Sequence, residues 1–483
     1  MLRTGAEYLD ALKDGRNVYL GSEKVADVTE HKAFANTARS FARLYDLKRS
    51  PEHVEECSVE ENGDRYSSWF LLPRAKEDLQ KRARLHQLTA EWTHGLMGRS
   101  PDHVASYIAG MCMQPDVFEG QADVWFDHLL AYHEDIKKRD LFVCYLVLSP
   151  QASRQAATEG PQYPSLRVIA EDDKGVVVDG MKMLGTSAVF SDEALVGCMM
   201  PLSPGREDEA ITFTLPMNTP GTKIFVRKSY ELDAHNKVDA YFSSQFDETD
   251  AVMVFDKVHI PWERVLVHRN LDVARDMYYR TPAHIMGNHQ ANWRFLAKYR
   301  LLNGIAHKAA EMAGLLQVPA VQQTLGNLAA GESAIEAQIT AQIHAPETLP
   351  NGYVHINRRF LYSTLHWCAN NYYQLAEDVR TLLGGNPFIM PADASILDDS
   401  ETGPIFDEMW RIPNAASRER YLFNRMAWDL LGSEFASRHT QYERFYGGPP
   451  HVMNMYNFMQ CPWAERQALV NGIVQEMERC INR

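Results

Sequence analysis

The chain has 483 residues, and a typical domain size of about 150 residues divides it into roughly three structural units. Hydrophobic residues make up 45% and charged residues 23% of the sequence, which excludes the polar composition of a disordered chain. The formal net charge is −14, and no dense run of lysine and arginine interrupts it. We therefore expect neither a nucleic-acid partner nor an anionic membrane surface.

The cysteines and the start of the chain bear on the compartment. The seven cysteines form no CxxC pair, and no histidine is spaced to complete a zinc site, so we expect free thiols and no metal. Glu7 and Asp10 precede any apolar run, unlike a signal peptide, and the longest apolar stretch, 141–148, is too short to span a bilayer. These features predict a cytoplasmic protein.

In chain order, the apolar spacing changes twice. Residues 28–136 follow a helical period and predict an all-helical first unit. Residues 141–270 consist of short runs rich in Val, Ile, Phe and Thr between turn signals, which predicts an antiparallel sheet or barrel. After Pro282 the helical period returns and predicts a bundle. The predicted strands are 166–171, 175–180, 211–216, 223–227 and 251–260, and the predicted domains are 1–140, 141–272 and 273–483.

No Rossmann signature accompanies these elements. Strands and helices do not alternate, and neither GxGxxG nor GxxxxGK[ST] occurs. A nucleotide cofactor, if one binds, therefore binds by another route.

Five segments carry polar groups in arrangements that could bind a ligand or act in catalysis. In 98–103, Gly98 permits unusual dihedral angles, and Ser100 or Asp102 can cap a helix that begins at Pro101, so Arg99 and His103 can lie side by side at its N-terminus. An ordinary capped helix with a solvated arginine explains the same residues. A predicted strand ends at Pro150, and residues 151–154 follow it with amide, hydroxyl and guanidinium groups. The Gly-Thr-Ser step at 185–187 likewise places hydrogen-bond donors at the end of a strand. Ordinary core strands that leave a sheet explain both segments equally.

The last two segments lie in the helical C-terminal part. His284 and His289 are five residues apart, which places them on different faces of a helix and argues against a shared metal, although either remains a candidate base. The aromatic run 442–446 precedes Gly-Gly-Pro-Pro, which a plain helix end also explains.

Taken together and in this order, the segments resemble the 4-hydroxyphenylacetate 3-monooxygenase family, the oxygenase components of two-component flavin monooxygenases. The segments that carry the resemblance are RTGAEYLDALKDGRNVYLGSEKVADVT, GRSPDHV, SPQASR, GTSAVFSDEALV, VFDKVHIPWERV, NHQANWRFLAKYRLLNGIAHKAAE and SRHTQYERFYGG. The resemblance implies an α+β, acyl-CoA dehydrogenase-like fold: an N-terminal helical domain, a central antiparallel β-barrel, and a C-terminal helical bundle that builds a homotetramer, a dimer of dimers.

The resemblance also implies an activity. A separate NAD(P)H:flavin reductase supplies FAD in its reduced form, FADH2, and O2 as co-substrate adds to give a C4a-hydroperoxyflavin that hydroxylates a phenol ortho to its hydroxyl. The protein must then exclude water, place the reactive oxygen against the ring and favour the phenolate.

The family's site residues carry over to positions of this sequence. Arg99 matches an arginine that meets the phenol oxygen and the flavin, and His103 is a candidate base with an ordinary pKa near 6.5. Tyr145 stands where the phenylacetate enzymes carry a histidine next to the flavin and the substrate, and Tyr145 or His289 is the alternative proton acceptor. The positions that match flavin contacts are Gln151, Ala152, Ser153, Arg154, Thr186, Tyr446, Gly447, Gly448 and Pro449.

The substrate contacts differ from those of the phenylacetate enzymes. Cys198 and Met199 stand nearest to the family's Ser-Thr pair, which holds the substrate carboxylate. We therefore expect a less acidic or bulkier phenol, such as a halophenol or a natural-product intermediate.

Two related activities are the alternatives. A 4-hydroxybutyryl-CoA dehydratase, an FAD-dependent lyase, needs three cysteines and a histidine for its [4Fe-4S] cluster, whereas this chain has Arg99 and His103 at the first position and no cysteine between 198 and 368. An acyl-CoA dehydrogenase needs a carboxylate base in the bundle, where a glutamate is available.

Overall fold

A computed structural model describes residues 2–119, 124–150 and 164–481 of the protein. The helices of these residues are α1 (Gly5–Ala11), α2 (Ala35–Lys48), α3 (Val54–Cys57), α4 (Lys76–Trp92), α5 (Pro101–Cys112), α6 (Val124–Arg139), α7 (Tyr230–Asp233), α8 (Leu271–Tyr279), α9 (Ala283–Met312), α10 (Pro319–His344), α11 (Arg358–Leu383), α12 (Gly403–Met409), α13 (Ser417–Leu431), α14 (Glu434–Phe445), α15 (Pro450–Gln460) and α16 (Trp463–Ile481). The strands are β1 (Val18–Leu20), β2 (Glu23–Val25), β3 (Ser58–Glu61), β4 (Asp64–Ser67), β5 (Val143–Leu146), β6 (Arg167–Glu171), β7 (Gly175–Lys182), β8 (Glu193–Val196), β9 (Ile211–Pro216), β10 (Thr222–Val226), β11 (Ala251–Pro261), β12 (Val265–His268), β13 (Glu347–Thr348) and β14 (Val354–His355).

The first unit is not all-helical, and this corrects the prediction. Strands β3 and β4 form a hairpin whose turn residues, Asn62 and Gly63, both have positive φ. Asn-Gly is the preferred dipeptide of a two-residue hairpin, so the signal was present in the sequence. Strands β1 and β2 leave the first unit and join a sheet formed mostly by later strands.

The strand region forms two open sheets in the described chain, whereas the sequence predicted an antiparallel barrel. One sheet has the order β2-β1-β10-β11-β7-β6 and the other β12-β9-β8-β5. Two pairs are parallel: β1 pairs with β10, with Val18 opposite Ile224, and β5 pairs with β8. The five predicted strands are present as β6, β7, β9, β10 and β11. The apolar pattern allowed either a sheet or a barrel, and the barrel came from the family resemblance. The parallel pairing of β1 with β10 was not predicted, because β1 lies about 200 residues before its partner and outside the strand-rich region.

The C-terminal region is a bundle centred on α9, which packs against α4, α5, α10 and α11. The predicted domain boundary at 140/141 falls between α6 and β5, and the one at 272/273 falls within α8. The apolar stripes of α9 and α10 pack inside the chain, since Ile305, Ile335 and Ile339 are buried. No helix of the described chain has the length and apolarity needed to cross a membrane.

Gly287 lets α5 approach the first turns of α9. A Cβ at this position would overlap the ring of Tyr107, which lies on α5. A glycine inside a helix costs about 1 kcal/mol relative to alanine, so its presence here reflects the contact with Tyr107. This close approach brings the start of α5, with Arg99 and His103, beside the first turns of α9.

Candidate active site

The turn that precedes α5 is held by a buried network. Ser100 is the N-cap residue, but its side chain makes no capping bond; its hydroxyl donates to Oδ1 of Asp102 at 2.6 Å. His86 Nδ1 lies 2.8 Å from Asp102 Oδ2, and Gln290 Nε2 donates to Ser100 Oγ at 3.1 Å. Asp102 therefore orients the turn rather than capping the helix.

Arg99 carries a charge with an unused donor. Its backbone N–H donates to Glu248 Oε2 at 2.7 Å, and its Nη2 donates to the carbonyl of Tyr446 at 3.1 Å. The guanidinium carbon lies 4.0 Å from the ring centre of Tyr446 and 5.3 Å from that of Tyr145. Its Nη1 is buried without a hydrogen-bond partner. A buried donor without a partner is costly, so Nη1 of this half-buried arginine is suited to a ligand that accepts a hydrogen bond.

His103 is fully buried, and neither of its ring nitrogens makes a hydrogen bond. Its ring lies 5.1 Å from that of Tyr107 and 5.5 Å from that of Tyr145. Burial, followed by the positive charge of Arg99, lowers the pKa of His103 well below its ordinary value. The expectation of a pKa near 6.5 is therefore wrong for this environment. The ring is neutral at physiological pH and has one nitrogen free to accept a proton.

Tyr145 on β5 is half-buried and fixed by its neighbours. Its ring stacks on Tyr107 at 5.7 Å with an interplanar angle of 22°. Asn288 Nδ2 in turn donates to the Tyr107 hydroxyl at 3.0 Å. Arg99, His103 and Tyr145, which were predicted as a group, are thus brought together, whereas Tyr107 and Asn288 were not predicted.

Tyr446 closes the other side of the turn. Its hydroxyl lies 2.7 Å from the carbonyl oxygen of Gly98 and 3.0 Å from Gln290 Oε1, and its single hydrogen is shared between these two acceptors. A Cβ on Gly98 would collide with the rings of Tyr442 and Tyr446. The glycine is thus required for this close approach rather than for unusual dihedral angles.

A buried ion cluster supports Tyr446 from within the bundle. Arg294 donates from Nη1 and Nη2 to the two carboxylate oxygens of Glu443 at 2.7 and 2.6 Å, and Lys298 donates to Oε1 at 2.5 Å. Burial alone would raise the pKa of Glu443, but the two cations outweigh it and lower the pKa to about 2. The Arg294 guanidinium carbon lies 4.4 Å from the Tyr446 ring centre. All of these groups lie in a fully buried, charge-paired cluster.

Thr186 belongs to a second charged network. Its hydroxyl donates to Asp250 Oδ1 at 2.7 Å, and Arg438 and Arg227 also bind Asp250. Arg438 further donates to Glu248, the residue that accepts the backbone N–H of Arg99. This network ties the end of β7, the segment before β11 and helix α14 to the turn at Arg99.

The other predicted flavin contacts have separate outcomes. Gly447, Gly448 and Pro449 follow α14 directly, and Gly448 has a positive φ of 109° before α15 begins. Gly447 and Tyr446 line a small cavity that Arg294 and Glu443 also border. The predicted contacts at 151–154 lie outside the described residues.

The predicted substrate contacts at 198 and 199 are not polar groups aimed at a carboxylate. The thiol of Cys198 is buried and lies 3.4 Å from the carbonyl oxygen of Met200. Met199 is partly buried and packs in the same hydrophobic cluster as Tyr145.

His289, a predicted substrate contact, has partners inside the bundle at both ring nitrogens. Its Nδ1 lies 2.9 Å from Gln342 Oε1, and its Nε2 accepts from Trp293 Nε1 at 3.1 Å. Burial lowers its pKa to about 3. Both nitrogens are therefore used inside the bundle.

His284 is likewise paired, with its Nδ1 3.0 Å from the hydroxyl of Tyr362. Within 2–119, 124–150 and 164–481, no group of three or more His, Cys, Asp or Glu side chains is arranged to hold a metal ion.

Gln290, Arg294 and Glu443 are further residues that the sequence analysis did not assign. The available signal was the polar run from 288 to 294 in a helix that other helices surround. Buried polar side chains require partners, so such a run marks a network.

Comparisons with known proteins agree with this geometry. The family model described as 4-hydroxyphenylacetate 3-hydroxylase N terminal matches residues 4–267, and its C-terminal counterpart matches residues 274–475. The pyoverdin chromophore biosynthetic protein PvcC of Pseudomonas aeruginosa is 31% identical, over 99% of this chain and 95% of its own. The 4-nitrophenol 2-monooxygenase oxygenase component of a Rhodococcus species is 30% identical, over 92% of this chain and 86% of its own.

Solved structures show the same relationship. The oxygenase component (HpaB) of 4-hydroxyphenylacetate 3-monooxygenase, complexed with FAD and 4-hydroxyphenylacetate, is 28% identical with a TM-score of 0.93 over 99% of this chain and all of that one. The 4-hydroxybutyryl-CoA dehydratase of N. maritimus is 18% identical with a TM-score of 0.87, a likeness of fold alone, over 98% of this chain and 95% of that one. The chain therefore belongs to the 4-hydroxyphenylacetate 3-hydroxylase family and is a flavin-dependent monooxygenase of the oxygenase-component class.

Proposed function

We propose that the protein uses FADH2, delivered by a separate NAD(P)H:flavin reductase, and O2 to hydroxylate a phenol ortho to its hydroxyl. The observation that carries this proposal is the pairing of Arg99 with His103. A half-buried cation whose Nη1 is buried without a partner and a neutral, fully buried imidazole face tyrosine rings at the same turn. This is a site for a flat molecule that carries an acidic hydroxyl.

The residues present suit a reduced flavin beside that molecule. When bound, the reduced flavin would supply two electrons to O2, of which one oxygen atom enters the ring and the other leaves as water. Thr186, Tyr446, Gly447, Gly448 and Pro449 would hold it, together with the predicted contacts at 151–154. The unpartnered Nη1 of Arg99 and the backbone freedom at Gly448 support this assignment. HpaB, whose structure contains FAD, supports it by similarity.

Each protein group then has a physical task. Arg99 stabilises the phenolate, because a cation in a dry site interacts strongly with a developing negative charge. His103 accepts the phenol proton at a free ring nitrogen, and the phenolate formed beside it offsets part of the burial that lowers its pKa. Tyr145 lies along the substrate ring as a packing surface and, stacked on Tyr107, excludes water.

The substrate proposal rests on Cys198 and Met199. Neither side chain is a good partner for a carboxylate, so the phenol carries no acidic tail that this loop must hold. Two relatives are named for phenols other than 4-hydroxyphenylacetate. One is named for 4-nitrophenol, and one, from Streptomyces globisporus, for a carrier-protein-bound 3-chloro-4-hydroxyphenyl substrate. We therefore propose a nitrophenol, a halophenol or a bulkier natural-product phenol.

The test supplies FADH2 from a generic flavin reductase and screens a phenol panel, with products identified by mass. We expect a mass gain of one oxygen with NADH and reductase present, and no turnover with NADH alone. His103→Ala should slow product formation roughly 10²- to 10⁴-fold. Raising the pH toward the pKa of the phenol should restore part of this loss. Normal product formation by His103→Ala at every pH would assign the proton to another group, and absence of oxygenated product from any phenol would refute the function.

The oligomeric proposal rests on α16. No residue of this helix is buried in the subunit, although it presents Leu469, Val470, Ile473 and Met477 with exposures between 56% and 65%. Such an apolar helix needs a partner surface. We propose that α16 packs against other copies in a homotetramer, a dimer of dimers. Light scattering at micromolar concentration should give the tetramer mass, and Leu469→Glu with Ile473→Glu should lower it; a monomeric wild type contradicts the proposal.

A further inference from the structure

Gln290 lies where three parts of the site meet. It is 2% exposed on the second turn of α9. Its Nε2 donates to Ser100 Oγ at 3.1 Å and lies 3.4 Å from Asp102 Oδ1, while its Oε1 is 3.0 Å from the hydroxyl of Tyr446.

These contacts join elements that are far apart in the chain. Ser100 and Asp102 start α5, the helix that carries His103, and Tyr446 ends α14. Asp102 is in turn bound by His86, so the turn is fixed from both sides. Arg99 is one residue from Ser100, and its Nη2 binds the carbonyl of Tyr446. The position of the Arg99 guanidinium thus depends on both elements that Gln290 joins.

We infer that Gln290 is a positioning residue, which sets the distance between the turn at Arg99 and His103 and the flavin-side tyrosine, Tyr446. It does not touch the reacting atoms in this assignment, which rests on the proposed function. A side-chain amide suits the position because it donates to one element and accepts from the other at the same time. An apolar side chain of similar length would leave the hydroxyls of Ser100 and Tyr446 with one partner fewer.

The chain offers a matched control in Gln342 on α10. This glutamine is also fully buried, accepts from His289 and Asn292, and donates to Thr364 Oγ1 at 3.0 Å. None of these contacts reaches the turn at Arg99. Gln290→Met and Gln342→Met therefore remove comparable hydrogen bonds, one inside the site and one outside it.

The experiment compares wild type, Gln290→Met and Gln342→Met in the reductase-coupled assay. For Gln290→Met we expect product formation to fall about 10- to 100-fold while FADH2 oxidation continues, because a misplacement of about 1 Å has effects of that size. For Gln342→Met we expect the wild-type ratio of product to FADH2 oxidised. Both variants should lower the midpoint of thermal unfolding, and a similar loss of product in both would overturn the inference.

A measurement without flavin separates this inference from the proposed function. 4-Nitrophenol changes colour on ionisation, so its absorbance reports whether the bound phenol is a phenolate. Wild type should lower the apparent pKa of bound 4-nitrophenol, and Gln290→Met should return it toward the value in water. If wild type neither binds nor shifts 4-nitrophenol and oxygenates no phenol, the proposed function fails. If wild type shifts it and Gln290→Met shifts it equally, only the positioning role fails.

Should Gln290→Met not fold, Tyr446→Phe removes the same bridge from its other end. It deletes one hydroxyl and retains the ring against Arg99 and Arg294. We expect the same uncoupling of FADH2 oxidation from product and the same smaller shift of 4-nitrophenol. Wild-type values for both readouts in Tyr446→Phe would overturn the inference.

Discussion

Two arginines lie against the same tyrosine ring and use their charge differently. Arg294 is buried and donates to both carboxylate oxygens of Glu443, and only its Nε lacks a partner. Arg99 lies 4.0 Å from the centre of the same Tyr446 ring, yet among the described residues no carboxylate pairs with its guanidinium. The charge of Arg294 is therefore compensated inside the chain, whereas the charge of Arg99 stays available for the phenolate of the proposed function.

The strongest test of this difference is Arg294→Met. It leaves Glu443 buried with Lys298 as its remaining ionic partner. Breaking a buried ion pair from one side typically costs about 3 to 5 kcal/mol in the free energy of unfolding. Chemical denaturation should show a loss of this size, and a smaller loss for Arg99→Met. Equal losses would mean that both arginines are structural.

The reverse variant, Arg99→Ala, should act on rate. A phenolate without its cation in a dry site loses about 2.7 to 4 kcal/mol of stabilisation, which is 10²- to 10³-fold in rate. FADH2 oxidation should continue and end as hydrogen peroxide instead of product. The measurement is product formed per FADH2 oxidised, together with peroxide released. A wild-type ratio of product to FADH2 oxidised in Arg99→Ala would mean that the turn at 98–103 only starts a helix and has no role in the reaction.

The sequence predicted one side of this comparison better than the other. Arg99 and His103 share one turn, so their proximity follows from local spacing. Glu443 lies 149 positions from Arg294, and nothing in either local pattern indicates that the two pair. The same limit explains His289, since a histidine on a helix looks alike whether it faces a ligand or a glutamine 53 positions away. Period-based strand predictions succeeded at β7 and β11 because those signals are local.

A comparison of His289, which is paired inside the bundle, with the unpaired His103 concerns the effect of pH. The pKa of His289 is lowered to about 3, so between an unfolded value near 6.5 and pH 3 the unfolded state binds more protons than the native state. Stability should fall as the pH drops through this window, by up to about 1.4 kcal/mol per pH unit for each such group. His289→Gln should flatten the slope of unfolding free energy against pH and leave the pH profile of product formation unchanged. A changed pH profile of product formation would return His289 to the site, beside the unpaired His103.

The smallest expected effect separates two glycines on α9 itself. At Gly304 a Cβ would meet open space, and Gly304→Ala should stabilise the protein by about 0.5 to 1 kcal/mol, because alanine loses less backbone entropy in a helix. At Gly287 the same Cβ overlaps the ring of Tyr107, and overpacking of about 1 to 3 kcal/mol should outweigh that gain. Displacing Tyr107 also moves Tyr145, which stacks on it, so Gly287→Ala should lower product formed per FADH2 whereas Gly304→Ala should not. Thermal unfolding and the ratio of product to FADH2 oxidised, measured on both variants, check these statements. A Gly287→Ala protein with higher stability and a wild-type ratio would show that Tyr107 and Tyr145 accommodate the added methyl group.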